Sequence, residues 1–242
     1  MLSASTYGIT HNVDDVNTIL YDEVGMPRST RAARKPDRPY HHGNLRRELL
    51  DEALATIRAE GVDGLTVREI GARLGVSRTA LYRHFADKRA LLAAVATEGF
   101  RTLREQLVRA WEDGGRGRAA FESMGAVYVR FAIANPSRYR VMFGGFVDPT
   151  AHEPELAAEA AGAFQALVDA LAVLQRDAIM RADDTVKMAR FVWAVVHGVA
   201  MLGIDGQLRE AGGVEELMRY ALERLRTGIE APERPARRPR RR

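Results

Sequence analysis

The sequence predicts an all-α protein in two helical parts, a three-helix unit built around a helix-turn-helix and a larger helical domain behind it. Three observations predict this. From Asn44 onward apolar residues recur at helical spacing, and no alternating strand pattern interrupts them. Residues 66–85, TVREIGARLGVSRTALYRHF, read as two short helices around a tight turn. Capping residues, glycines and prolines then cut the rest of the chain into helices of ordinary length.

Asn44 is placed to cap a first helix that buries Leu49, Leu50, Ala53, Leu54 and Ile57 and stops at Gly61. Thr66, with Glu69 three residues on, is a capping-box start, and Val67, Ile70 and Leu74 follow on one face. Gly75 supplies the positive φ of a sharp turn, Val76 is expected in the core, and Ser77 caps a second short helix running to about His84. Gly71, without a side chain, lets the two helices cross closely. Ala80, Leu81 and Phe85 face inward. Arg78, Thr79, Tyr82 and Arg83 are left pointing outward, a cationic and hydrogen-bonding surface suited to base edges and phosphates in a DNA major groove.

Asp87 caps a fourth helix reaching about Glu112, closed by Asp113, Gly114 and Gly115 at the joint between the two parts. Residues 118–134 form a helix stopped by Asn135 and Pro136, with Asn135 capping the next helix and Pro136 in its first turn. Asp148 and Pro149 make a loop. An alanine-rich helix over 154–176 follows, then one over 184–210, then Gly212 and Gly213, and a last helix over 214–227. Gly198 and Gly203 read as points of close helix approach. The domain division expected is 1–39 as a flexible extension with a basic arm, 40–95 as the helix-turn-helix domain, 96–229 as the second domain and 230–242 as a basic disordered tail.

With 242 residues, 46% of them hydrophobic, the chain can bury a sizeable core. It has no cysteine, which excludes disulfides and thiolate metal sites and fits a reducing cytoplasm. No metal-ligand cluster or cofactor motif is present, so neither a metal nor a cofactor is expected. No secretory signal is evident, and the longest apolar run, about fourteen residues over 191–204, contains His197 and is too short to cross a membrane. A soluble protein is expected.

The net charge is +4, concentrated at the ends. Residues 28–39 carry Arg28, Arg31, Arg34, Lys35 and Arg38 against Asp37, and the last nine residues hold Arg234, Arg237, Arg238, Arg240, Arg241 and Arg242 with no acid. Such stretches attract polyanions without reading sequence, or serve only as solvated tails. Residues 1–27, with Asp14, Asp15, Asp22 and Glu23, break from this pattern, which makes Met26 a candidate start and MPRSTRAARKPDRPYHHG a candidate basic arm.

The second domain holds Tyr128, Phe131, Tyr139, Met142, Phe143, Trp193 and His197, large side chains on neighbouring helices. Residues of this kind ordinarily fill cores. As a group, with the polar handles of Tyr128, Tyr139, Trp193 and His197, they are also candidates to line a concave, mostly apolar pocket for a small molecule. His197 lies four residues after Trp193 on the same helix face, where its imidazole would bond either a ligand or a group of the protein itself.

The run GLTVREIGARLGVSRTALYRHFADKRALLAAV, residues 64–95, resembles the DNA-binding domain of the TetR family of bacterial transcriptional regulators. The resemblance rests on the LTVREIGARLGVS core, the LYRHF end of the recognition helix and the DKRALL start of the next helix. Matched residue by residue, it assigns Arg68, Arg78, Thr79 and Tyr82 to base or groove contact, with Arg78 the candidate for a bidentate guanine contact, and Thr66, Ser77, His84 and Lys88 to phosphates. Arg83 shares their exposed face. The arm, Arg34, Lys35, Arg38, Tyr40, His41 and His42, is expected at the minor groove or backbone beside each half-site.

More weakly, NPSRYRVMF at 135–143 and the spacing Trp193, His197, Gly198 look like the second domain of the TetR subgroup named for its Trp-His-Gly motif. That resemblance implies an effector-binding and dimerisation domain. It would take small, largely apolar effectors and pair with a second copy through its last two helices. The function implied is a cytoplasmic, nucleoid-associated repressor, a homodimer on a palindromic double-stranded DNA operator that a small molecule releases. An architectural DNA-binding protein without an effector is the rival reading. Catalysis is not expected, since no converging set of reactive groups is legible.

Overall fold

The computed structural model describes residues 45–147, 153–209 and 212–229. These form helices α1 (Leu45–Glu60), α2 (Val67–Arg73), α3 (Arg78–His84), α4 (Lys88–Asp113), α5 (Arg118–Ala134), α6 (Pro136–Phe143), α7 (Pro154–Arg176), α8 (Thr185–Ile204) and α9 (Gly213–Ile229), and no strand ladder is found among them. The arm from Arg34 to His42, the Asn44 cap, the Asp148–Pro149 loop and the arginine-rich tail lie outside the described residues.

The first three helices close over Leu49, Leu50, Ala53, Leu65, Ile70 and Leu81, all nearly inaccessible to solvent. Gly75 has φ +69°, and the amides of Gly75 and Val76 return to the carbonyls of Ala72 and Gly71 at 3.2 and 2.8 Å. That pair of bonds ends α2 with a glycine in the left-handed region. Val76 is only partly buried, packed at the edge of the core rather than inside it. At the start of α2, Thr66 Oγ1 accepts the Glu69 amide at 3.2 Å and donates its hydroxyl to Glu69 Oε2 at 2.8 Å. The carboxylate therefore bonds the threonine side chain, a variant of the reciprocal cap expected.

The helix starts capped by Ser77 and Asp87 are made as expected, and Asp184 caps α8 in the same way, each side chain accepting an amide three residues on, from Ala80, Ala90 and Lys187. Asn135 differs. Its Nδ2 donates back to the Phe131 carbonyl at 2.9 Å, so its side chain closes α5 and leaves α6 to begin on Pro136 without a side-chain cap. Helix α8 ends at Ile204, six residues before the expected end at 210. Gly206, at φ +68°, turns the chain there, with its amide on Gly203 O at 3.2 Å and that of Gln207 on Leu202 O at 2.9 Å.

Helix α4 organises the rest. It packs against α1, α5, α6 and α7 in one continuous run, so the division placed at 95/96 falls inside a helix. Its contact with α6 is close: a Cβ on Gly99 would lie 2.5 Å from Met142 Sδ. Across the other face Arg101 reaches Glu155 at 2.7 Å and Glu159 at 2.9 Å, and Arg104 reaches Glu159 at 3.0 Å, tying α4 to α7. Gly203 has a packing reason, since a Cβ there would meet Ile133 and Val214 at 2.7 Å; Gly198 faces open space, contrary to expectation. Helices α7 and α8 have the length and composition of a membrane span, which the fourteen-residue run at 191–204 did not suggest. Both pack on their neighbours, α7 on α4 and α8 on α5, through fully buried Leu171, Leu174, Ala189 and Ala200.

Candidate functional site

Two regions carry the candidate residues. In the first, α3 buries Leu81 and the following Phe85, and this fixes which side faces out. Arg78, Thr79, Tyr82, Arg83 and His84 are exposed, as are Arg68 on α2 and the two capping residues Thr66 and Ser77. Arg83 Nε donates to Thr79 O at 3.3 Å, which holds that guanidinium along α3. Lys88, partly covered, donates from Nζ to Asp63 O at 3.3 Å, and the Thr66 hydroxyl is directed at Glu69. Two guanidinium groups, an imidazole and a phenol ring are thus displayed on the exposed face of one short helix. Arg73 is held away from that face by Thr56 at 3.0 Å, Glu60 at 2.7 Å and Glu52 at 3.6 Å, which pins α2 to α1.

In the second region, α4, α5, α6, α7 and α8, with Leu222 of α9, line a partly open cavity of about 380 Å³. Of the seven residues expected in a pocket, Tyr128, Met142, Phe143 and Trp193 line it. Phe131, 3% exposed, is packed in the core away from the cavity, and Tyr139 and His197 stand behind its wall. Three of the seven are therefore not lining residues. The sequence reading also missed the part played by α4, whose Phe100, Leu103 and Leu107 form one side. Their i, i+3, i+7 spacing beyond the helix-turn-helix was the available signal.

The polar groups of the wall and those behind it are joined by hydrogen bonds. Trp193 Nε1–H donates to Tyr128 Oη at 2.9 Å, Tyr128 and Tyr139 hydroxyls are 2.7 Å apart, and His197 Nδ1 lies 2.6 Å from Tyr139 Oη and 3.2 Å from Tyr128 Oη. His197 thus bonds protein hydroxyls. Burial pushes the Tyr128 hydroxyl up to about 12 and Tyr139 higher still, against the hydrogen bonds that favour ionised Tyr128, so both are neutral phenols. Burial lowers the His197 pKa, so the ring favours its neutral form. Around them Phe143 packs edge-on to His197 at 5.0 Å and Phe164 edge-on to Trp193 at 5.9 Å. Among the described residues no group of three metal-ligating side chains converges.

On the outer side, α8 and α9 leave Val186, Phe191, Leu202 and Tyr220 exposed. These are large apolar side chains on the two helices that close the domain.

The family model for bacterial regulatory proteins of the tetR family matches residues 49–95, and that for a tetracyclin repressor-like C-terminal domain matches residues 121–225. The structure is similar to that of a protein of unknown function from Rhodococcus sp. RHA1, with a TM-score of 0.71 and 32% identity over 80% of this chain and 100% of that one. An uncharacterized HTH-type transcriptional regulator of Mycobacterium tuberculosis is 27% identical over 190 residues, 75% of this chain and 79% of its own length. The class D tetracycline repressor of Escherichia coli is 43% identical over 53 residues, 22% of this chain; the match spans only 24% of that repressor. With the reading helix inside the first matched segment and most of the cavity wall inside the second, the chain belongs to the TetR family of bacterial transcriptional regulators.

Proposed function

We propose that the chain is a ligand-responsive repressor, acting in the cytoplasm as a homodimer that holds a pseudo-palindromic operator until a small, largely apolar effector enters the cavity. The observation that carries this reading is the continuity of α4. Its first turn holds Lys88 beside the reading helix, and three turns on Phe100 and Leu103 line the cavity. An effector that prefers one placement of α4 would shift the spacing of the two reading helices, and a coupling of about 1–3 kcal/mol is enough to change occupancy severalfold.

Arg78, Thr79, Tyr82 and Arg68 are the groups for base edges, with Thr66, Ser77, Arg83, His84 and Lys88 on phosphates, and the arm from Arg34 to His42 beside each half-site. The exposed apolar residues of α8 and α9 are the face for a second copy. The work is binding rather than catalysis: the hydroxyls of Tyr128 and Tyr139 and the His197 imidazole are engaged with one another, and among the described residues no nucleophile and base converge in the cavity. The 40–95 and 96–229 division is kept as two functional halves sharing α4.

Selection of bound sequences from a random DNA pool at about 150 mM salt tests the reading, since weak phosphate-only binding is suppressed there. Enrichment of one palindrome is expected. Binding that survives without enrichment would instead favour an architectural protein.

A further inference from the structure

The cavity has a chemical bias beyond its size. Among its described lining residues only Tyr128 and Trp193 carry a side-chain nitrogen or oxygen, and none carries a charge. Trp193 has a single N–H, and it is spent on Tyr128 Oη. Among the described lining side chains, the Tyr128 hydroxyl is therefore the one polar partner left for an atom of a bound molecule.

The order of protons along the chain behind Tyr128 decides whether that hydroxyl can donate to a bound molecule. In one direction the chain closes on itself: Trp193 N–H to Tyr128 Oη, Tyr128 O–H to Tyr139 Oη, and Tyr139 O–H to His197 Nδ1, with the imidazole proton on Nε2. In the opposite direction His197 Nδ1–H donates to Tyr139, Tyr139 donates to Tyr128, and the Tyr128 proton is left over. That arrangement is complete only when an acceptor stands in the cavity. Loss of the Nε2 proton to solvent and gain of one at Nδ1 would convert one arrangement into the other with the protein's proton count unchanged.

We infer that the cavity binds a neutral, mostly apolar molecule through one carbonyl or ether-like oxygen held by Tyr128 Oη, the Tyr128–Tyr139–His197 chain reversing to supply the hydrogen bond. This rests on the reading of the cavity as the effector site. An ionised carboxylate is disfavoured because no described wall residue is cationic, and a buried charge without a partner costs far more than a single neutral hydrogen bond returns. The volume, set against about 30 Å³ per water in the liquid, holds on the order of a dozen non-hydrogen atoms.

Decan-2-one, undecane and decanoate form a matched series of that size, measured by calorimetric titration of the full-length protein. Decan-2-one is expected to bind at least about tenfold more tightly than either of the others. Tyr128→Phe should erase its advantage over undecane while leaving undecane affinity within about twofold, which also reports an intact cavity. In the wild type, long-range proton–nitrogen spectra, assigned with His197→Asn, should show the His197 proton moving from Nε2 to Nδ1 when the ketone binds. Equal affinity for ketone and undecane would overturn the oxygen assignment and leave the apolar cavity standing. Decanoate binding at least as tightly as the ketone would overturn it in favour of an acid-reading site. An unchanged His197 tautomer would overturn the reversal. Binding of none of the three would remove the effector site itself, and this inference with it.

Discussion

A Cβ on Gly71 would fall 2.8 Å from Leu81 Cδ2, so the two helices of the reading unit cross without room for a side chain at position 71. Leu81 is 2% exposed and hemmed in by the core. Gly71→Ala gains about 0.5–1 kcal/mol of helix propensity, while overpacking the crossing costs roughly 1–3 kcal/mol. A net loss of about 1 kcal/mol is expected, a drop of about 2–4 °C in Tm for a chain of this length. Gly71→Val should melt lower again. Scanning calorimetry of the three proteins checks the order; an alanine variant that melts above the wild type would reveal slack at the crossing.

Arg78 opens α3 on its exposed face, whereas Lys88 starts α4 with its ammonium near the Asp63 carbonyl. Their substitutions should therefore differ in kind. Arg78→Ala is expected to weaken the selected operator by about 1–3 kcal/mol and to relax preference at one base pair per half-site. Lys88→Ala should weaken all sequences alike and reduce the salt slope by about one. Anisotropy titrations on the operator and on single-base variants, each at several salt concentrations, separate the two. Identical profiles for both variants would mean that Arg78 only holds a phosphate.

The reading unit was legible because its signals are local. Thr66, Gly75, Ser77 and Asp87 act on amides or turns within a few residues, and sequence spacing captures that scale. The cavity was legible only as a list of large residues. Whether Tyr139 faces a ligand or stands behind Tyr128 depends on how α5, α6 and α8 rotate against one another, which no single-helix pattern encodes. Phe131 and Met142 look alike in sequence, yet one is core and the other lines the cavity. The early end of α8 hung on Gly206, a lone glycine in a polar stretch that a periodicity reading passes over.

Glu159 on α7 accepts hydrogen bonds from both Arg101 and Arg104 of α4. Burial opposes its ionised form, but the hydrogen bonds and charges of Arg104 and Arg101 outweigh it and hold the carboxyl below its usual value. A folded pKa below the unfolded one means the stabilisation is present above about pH 4.3 and is lost as pH falls through the folded value. Glu159→Gln is expected to cost about 1 kcal/mol at pH 7, since two partners make this more than an isolated surface pair. Urea unfolding at pH 7 and again in acid should show the gap between variant and wild type closing. A gap that persists in acid would mean the loss is one of packing.

His197 behaves with the opposite sign. Burial lowers its pKa in the folded protein, so between that value and about 6.5 the unfolded chain holds a proton that the folded chain does not. The unfolded state binds more protons in that window, and stability rises with pH across it. Below the folded value both states are protonated and the slope from this group ends. His197→Asn removes the titration while keeping a side-chain group of similar reach beside Tyr139. The gain in unfolding free energy from pH 5 to pH 7 should be smaller in the variant than in the wild type, measured by urea denaturation with Trp fluorescence. Tyr139→Phe makes the complementary case. It deprives Nδ1 of the hydroxyl at 2.6 Å and leaves only the Tyr128 contact at 3.2 Å, so the neutral ring loses its better hydrogen-bond donor. The folded pKa should then rise toward the unfolded value, and the slope between pH 5 and 7 should fall between those of the wild type and His197→Asn. A slope as steep as the wild type's would mean that desolvation alone, without Tyr139, keeps His197 neutral.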